Sequence, residues 1–322
     1  MNETDLFIDK IADCVHFCQL VVSTIGVFVI PPHIFILCKS TMRTSSTNSI
    51  LMGIAICDFI LLSMVIHDRI NEFWFFSPGD NCTEVVEMTQ FIGDSQRDIL
   101  EQTSFWLGVV LALIRLLIMK LESDYKIISS QIVGYFLVLL IFTISSLCSS
   151  LFYYKIYHRS FSYTTGSECL IVPDDLVKNI DSFELMSGGS QILISILYLV
   201  LTILLTSELQ KSANRALWAL SKKQHEERHR STKMILLMTV LYVFCSAPSG
   251  FINFVQPLIR ENQALQDALS IWNVLTDLLL YINATLHGTI NFAMSSNYRT
   301  TAKSIISKKK KQMTRTLKIT SN

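Results

Sequence analysis

The chain has 322 residues, half of them apolar, only 16% charged, and a formal net charge of +1. A soluble domain carries roughly a quarter charged residues, and here the charges cluster between long runs that hold none or one. That pattern excludes an ordinary soluble globular domain. It fits a chain that crosses a bilayer, where each helix needs about 20 mostly apolar residues.

In chain order, the first thirteen residues are acidic rather than basic. The apolar run that follows, Phe17 to Cys38, is too long for a signal-peptide core and lacks a clear small-residue cleavage site. It reads as span 1. Span 2 is Asn48 to Ile66, with Asp58 as its one charge, and span 3 is Thr103 to Met119, with Arg115 alone. Span 4 lies in the charge-free run from Ile127 to Tyr154, and span 5 covers Leu185 to Ser207. Span 6 lies within Met234 to Ile259, and span 7 is Ile271 to Met294, with Asp277 alone. Spans 1 and 6 carry Pro31, Pro32 and Pro248, which membrane helices tolerate and use as kinks. The fold class expected is therefore all-α, a seven-transmembrane helix bundle. Its parts are an outer N-terminal segment (1–16), the bundle (17–294) and a cytoplasmic tail (295–322).

Orientation follows from Lys and Arg. With the N-terminus outside, 19 of the 27 basic residues fall on the cytoplasmic side and seven outside, with Arg115 inside a span. The triplets Asn2-Glu3-Thr4 and Asn81-Cys82-Thr83 then lie outside, which makes Asn2 and Asn81 glycosylation candidates. A third triplet, Asn283-Ala284-Thr285, lies within span 7 and should be silent. The outer segments hold 19 acidic residues. Such a field draws cations, although positive-inside bias alone also strips basic residues from this face. After span 7, Tyr298, Ala302, Ile305 and Ile306 recur at helical spacing beside Arg299, Lys303 and Lys308 to Lys311. This predicts a short amphipathic helix on inner-leaflet lipid. Inner loop 3, from Glu208 to Lys233, mixes apolar and basic residues and is expected to extend spans 5 and 6 as helix. No phosphate loop, His-Glu-x-x-His or Cys-x-x-Cys motif is present, so no enzyme, cofactor or metal is indicated. The basic tail is explained by topology, not by nucleic acid.

Specific residues narrow the class. Span 2 holds Ile54-Ala55-Ile56-Cys57-Asp58, and span 3 holds Trp106-Leu107-Gly108 and Ala112-Leu113-Ile114-Arg115-Leu116. Span 6 holds Tyr242-x-x-Cys245-Ser246-x-Pro248. Span 7 holds Asn283-Ala284-x-x-His287-Gly288-x-x-Asn291 and runs on into Met294-Ser295-Ser296-Asn297-Tyr298-Arg299. Across the whole chain this resembles rhodopsin-like G-protein-coupled receptors. Within them it looks like the nematode serpentine chemoreceptors of the Srw type, a class similar to FMRFamide-type peptide receptors. The resemblance implies a plasma-membrane receptor that passes binding of an extracellular peptide or small molecule to a heterotrimeric G protein.

It also implies roles. Arg115 would contact the G protein; the general reading is an arginine that snorkels to the headgroups. Asp58 would be a sodium position coupled to activation; otherwise it is a protonated carboxyl bonded to neighbouring helices. His287 stands where the family keeps asparagine, so an Asp58–His287 pair is a replacement for that ion site. Cys245, Ser246, Pro248, His287, Gly288 and Asn291 fall on the activation switch. Asp277, nearly three turns outward from His287, would face the ligand, and it suits an amine or guanidinium. The alternative is a carboxylate at the water interface. The family links the top of span 3 to outer loop 2. Here the expected span 3 position is Gln90, so the bridge would use Cys82 or Cys14 with Cys169, and Cys82–Cys169 is preferred. The departures also matter: Ile114 replaces the acid before Arg115, Ser246 the toggle tryptophan, Gly288 the proline and Asn291 the tyrosine. They leave open a receptor-like protein that does not signal, a scaffold or dimer partner. A transporter would need charges lining a path and repeat symmetry, and neither is visible.

Overall fold

The computed structural model describes residues 3–74, 84–120, 125–161, 174–219, 222–259, 263–294, 298–305 and 307. Seven of its helices are long and apolar enough to cross a membrane. They are α1 (Glu3–Leu37), α2 (Ser46–Trp74), α3 (Glu84–Lys120), α5 (Gln131–Phe161), α6 (Asp174–Ala219), α7 (Lys222–Val255) and α8 (Gln263–Met294). A single turn, α4 (Tyr125–Ile128), precedes α5, and a 3₁₀ turn over Gln256–Ile259 extends α7. Residues 298–305 form a last short helix, α9. The segment read as inner loop 3 is indeed mostly helix, since α6 runs to Ala219 and α7 starts at Lys222.

The helices outrun the charge-free stretches of sequence. Span 3 was expected from Thr103, yet α3 starts at Glu84. Span 1 was expected from Phe17, yet α1 starts at Glu3. On α3 a rule that stops a span at the first charge fails because Arg97, Asp98 and Glu101 meet groups on other helices.

Packing places α2 and α3 in the middle. More than half of each of their spans is buried, against under a fifth of α5. On α5, Ile132, Phe136, Leu140, Ile144, Leu147 and Leu151 stay exposed, and on α6 so do Leu193, Ile196, Leu199 and Ile203. These three- and four-residue steps are a lipid-facing stripe. In lipid, helices are joined by close packing and polar contacts rather than by apolar burial. The α6–α7 seam follows that rule. A Cβ on Gly188 would come 2.5 Å from Phe254 N, and one on Gly250 would come 2.8 Å from Gln191 Cβ. The two helices meet backbone to backbone.

The turn between α1 and α2 is tied by polar groups. Ser45 Oγ accepts from Asn48 N at 3.4 Å, an N-cap for α2. Asn48 Nδ2 donates to Met42 O at 2.6 Å, and Ser46 N donates to Ser129 O at 2.8 Å, joining the start of α2 to the turn before α5.

Candidate functional site

Charged and polar side chains lie at three levels of the bundle.

The level at the N-terminal end of α3, the one expected to lie outside, is ionic. Asp94 lies three and four residues before Arg97 and Asp98, and these lie four and three before Glu101, so the four share one face of α3. Arg97 Nη2 donates to Asp68 Oδ2 of α2 at 2.7 Å. Tyr153 of α5 donates its hydroxyl to Asp98 Oδ2 at 2.9 Å. From α8, Asp277 feels the guanidinium groups of Arg97 and Arg69, and Glu101 feels Asp277, Asp98 and Arg97. Tyr281 is buried beneath, one turn inward from Asp277. Five carboxylates (Asp68, Asp94, Asp98, Glu101, Asp277) thus meet two guanidiniums, Arg69 and Arg97. The Arg97–Asp68 pair is itself part-exposed, with side chains 23% and 40% accessible. Its own contribution to stability is at most about 1 kcal/mol. The cluster's meaning is its field: negative charge in excess, on α2, α3 and α8, at one end of the bundle.

About 15 Å further in along α8 lies a polar core. Asp58 and His287 are each only 3% exposed. His287 Nδ1 donates to Asp58 Oδ2 at 2.7 Å, and Ser104 Oγ donates to Asp58 Oδ1 at 3.2 Å. Both carboxylate oxygens therefore hold a donor. Among the described residues, His287 Nε2 and Asn283 Oδ1, one turn apart on α8, are buried without a hydrogen-bond partner. Around this pair stands an aromatic group. The Tyr242 ring lies 5.3 Å from the His287 ring, stacks on Tyr198 at 5.2 Å and 6°, and meets Phe105 edge-on at 6.0 Å. Tyr198 donates its hydroxyl to Phe105 O at 2.8 Å. That hydroxyl fills the space a Cβ on Gly108 would need, which gives Gly108 a packing role.

The switch positions divide between neighbours. Ser246 Oγ donates to Tyr242 O at 2.7 Å and lies 2.9 Å from Ser195 Oγ of α6. Cys245 Sγ faces Leu279 O of α8 at 3.4 Å. Pro248 sits half-buried inside α7. Asn291 Nδ2 donates back to His287 O at 2.9 Å, within its own helix. Gly288 faces His33 of α1.

The level at the C-terminal end of α3, the one expected to lie inside, is Arg115. Its Nε is buried with no partner, and among the described residues no carboxylate pairs with it. Ile114, beside it, is buried at 3% exposure, so the position where an acid would hold the arginine is a packing residue instead.

Asp58 and His287 are thus together, Asp277 joins the outer cluster, and Arg115 stands apart from both. Cys82, Cys169, Asn2 and Asn81 lie outside the described residues. Arg97, Asp98 and Glu101 were missed as site residues because charge counting assigned them to an outer loop. Their three- and four-residue spacing, running straight into the apolar part of span 3, is the signal that places them on a helix face.

Two comparisons bear on identity. The family model described as "Serpentine type 7TM GPCR chemoreceptor Srw" matches residues 17–309. No curated protein matches the chain. The family match takes in all seven spanning helices and α9, and with the bundle just described it makes the protein a multi-pass membrane protein of a receptor family rather than an enzyme family. The chain belongs to the Srw serpentine seven-transmembrane chemoreceptor family.

Proposed function

We propose that this chain is a plasma-membrane chemosensory or neuropeptide receptor that takes a cationic extracellular ligand and drives a heterotrimeric G protein. The observation that carries the reading is the excess of carboxylates on α2, α3 and α8 at the outer end of the bundle. Asp277 and Glu101 are the groups we assign to ligand contact, because Arg97 and Asp98 already hold partners in Asp68 and Tyr153. An amine or guanidinium entering between Asp277 and Glu101 would relieve their mutual repulsion. It would also pull on α8, the helix that carries His287 and Asn291 inward. Arg115 and the basic ends of α6 and α7 supply the cytoplasmic surface, with anionic lipid under α9.

Asp58 serves in this reading as a polar lock rather than a sodium site. An imidazole N–H already occupies the side of the carboxylate that a cation would take. Agonist potency should therefore be the same in sodium and in N-methylglucamine buffers; a sodium-dependent shift that Asp58→Asn abolishes would restore the ion site.

The test of function is nucleotide exchange on G protein in membranes bearing the chain, across amidated basic peptides and small amines. Asp277→Asn should weaken a cationic agonist by about tenfold, the cost of one charge-assisted contact of about 1.4 kcal/mol. An agonist with no positive charge, or one indifferent to Asp277→Asn, would remove the cationic assignment. This reading takes the N-terminus as outside, with glycans on Asn2 and Asn81 and a Cys82–Cys169 bridge in the oxidising compartment. Glycosidase treatment of intact cells should raise gel mobility, and Asn2→Gln with Asn81→Gln should abolish that change. Mobility that glycosidase leaves alone would reverse the glycan assignment.

The second reading is a receptor-like protein that binds without signalling. Ser246, Gly288 and Asn291 favour it, since each replaces a family switch residue. The same exchange assay separates the two.

A further inference from the structure

His33 follows Pro31-Pro32 near the inner end of α1 and is only 3% exposed. Its Nδ1 lies 2.8 Å from the hydroxyl of Tyr298, the first residue of α9, with ring centroids 5.4 Å apart. Tyr298 is equally buried and meets Phe292 of α8 edge-on at 6.3 Å. Burial pushes the Tyr298 phenol up to about 12. It therefore keeps its proton at neutral pH and donates to Nδ1, which places the proton of a neutral His33 ring on Nε2.

A third residue completes the contact. A Cβ on Gly288 would come 3.3 Å from both Cβ and Cγ of His33. The imidazole thus lies against the bare backbone of α8. Arg299, next after Tyr298, donates to the carbonyls of Phe292 and Ala293 and closes the end of α8. Residue 33 thus meets residues 288 and 298, more than 250 positions away, where α1, α8 and α9 join.

We propose that His33 is a positioning residue. Through Tyr298 it fixes the angle at which α9 leaves α8, and so it sets the inner surface offered to a signalling partner. The part concerning the partner rests on the receptor reading above; the docking of α9 does not. Gly288 is then the residue that makes room for His33, and Tyr298 is the ring that α9 contributes.

The test uses the full chain in lipid nanodiscs and reads amide hydrogen exchange over residues 299–305. Tyr298→Phe removes only the hydroxyl and keeps the ring. His33→Phe keeps an aromatic ring but removes the acceptor. Each should speed exchange roughly fivefold, in line with one buried hydrogen bond. The double variant should add nothing further, and His33→Asn, which keeps an acceptor near the Nδ1 position, should recover most of the protection. The single variants should also lower the maximal rate of G-protein nucleotide exchange at unchanged surface expression. Unchanged amide exchange, or single-variant effects that add in the double variant, would overturn the contact. Faster amide exchange with wild-type coupling would overturn its positioning role. If the wild type itself drives no G protein, the receptor reading fails, and the amide-exchange cycle still decides the docking of α9.

Discussion

His287→Ala should sharply destabilise the receptor, and adding Asp58→Asn should recover much of the loss. In the wild type the Asp58 carboxylate is almost wholly shielded and held by His287 Nδ1 at 2.7 Å and Ser104 at 3.2 Å. Truncating the histidine leaves a buried carboxylate with one weak donor. Interhelical hydrogen bonds in membranes average about 0.6 kcal/mol, whereas stripping the partner from a buried charge costs about 3–5 kcal/mol. A loss of about 3–5 kcal/mol is therefore expected. His287→Asn should fall between, because its amide can still donate toward Asp58. Melting of detergent-solubilised protein, followed by fluorescence-detected gel filtration, gives the order. A His287→Ala protein as stable as wild type, or a double variant no better than the single, would show that the pair does not hold the core.

The second large effect is expected at Gly108. Alanine improves the intrinsic helix propensity of that position by about 1 kcal/mol. Against this, its methyl would land on the Tyr198 hydroxyl, with Tyr198 Cζ at 3.1 Å and Tyr242 Cε2 at 3.2 Å. Tyr198 cannot swing aside, because its ring is stacked on Tyr242 and its hydroxyl is bonded to Phe105 O. Overpacking costs about 1–3 kcal/mol, and a buried hydroxyl torn from its acceptor about 1–3 more. The net result is a loss, and Gly108→Leu should not reach the cell surface. The compensating change is Tyr198→Phe, which deletes the obstructing oxygen. Gly108→Ala with Tyr198→Phe should melt higher than Gly108→Ala alone. If instead the second change lowered stability by the same amount in both backgrounds, the two sites would be independent and the clash absent.

Much of this arrangement is legible in the sequence, for definable reasons. Seven apolar runs stand out because lipid permits few charges, and that rule holds for the lipid-facing stripes of α5 and α6. The amphipathic helix after α8 is legible from Tyr298 and Ala302 at helical spacing, and both are buried in the structure. The pairing of Asp58 with His287 was legible through the resemblance, because His287 stands where the family keeps an asparagine and Asp58 is the one charge in its span.

The outer half of α3 was hidden for the opposite reason. Asp94, Arg97, Asp98 and Glu101 break the apolar run, and a hydropathy rule cannot know that Asp68, Tyr153 and Asp277 wait on other helices to receive them. Two further contacts carry no local signal. Tyr198 and Gly108 are distant in sequence and meet only because α3 and α6 pack. His33 lies in an apolar run of its own, and nothing near it in sequence names Tyr298 as its partner. Such pairs depend on helix rotation, which one sequence does not encode in any short window.

The most direct measurement is G-protein nucleotide exchange in membranes bearing wild type or Arg115→Ala, with basic amidated peptides and amines as ligands. Arg115 has no carboxylate partner among the described residues, so the substitution leaves no acid stranded and should fold normally. The expected result is ligand-dependent exchange by the wild type that falls by at least tenfold in Arg115→Ala at equal surface expression. No exchange from a folded wild-type protein at the surface, or full exchange from Arg115→Ala, would contradict a receptor that signals through this arginine.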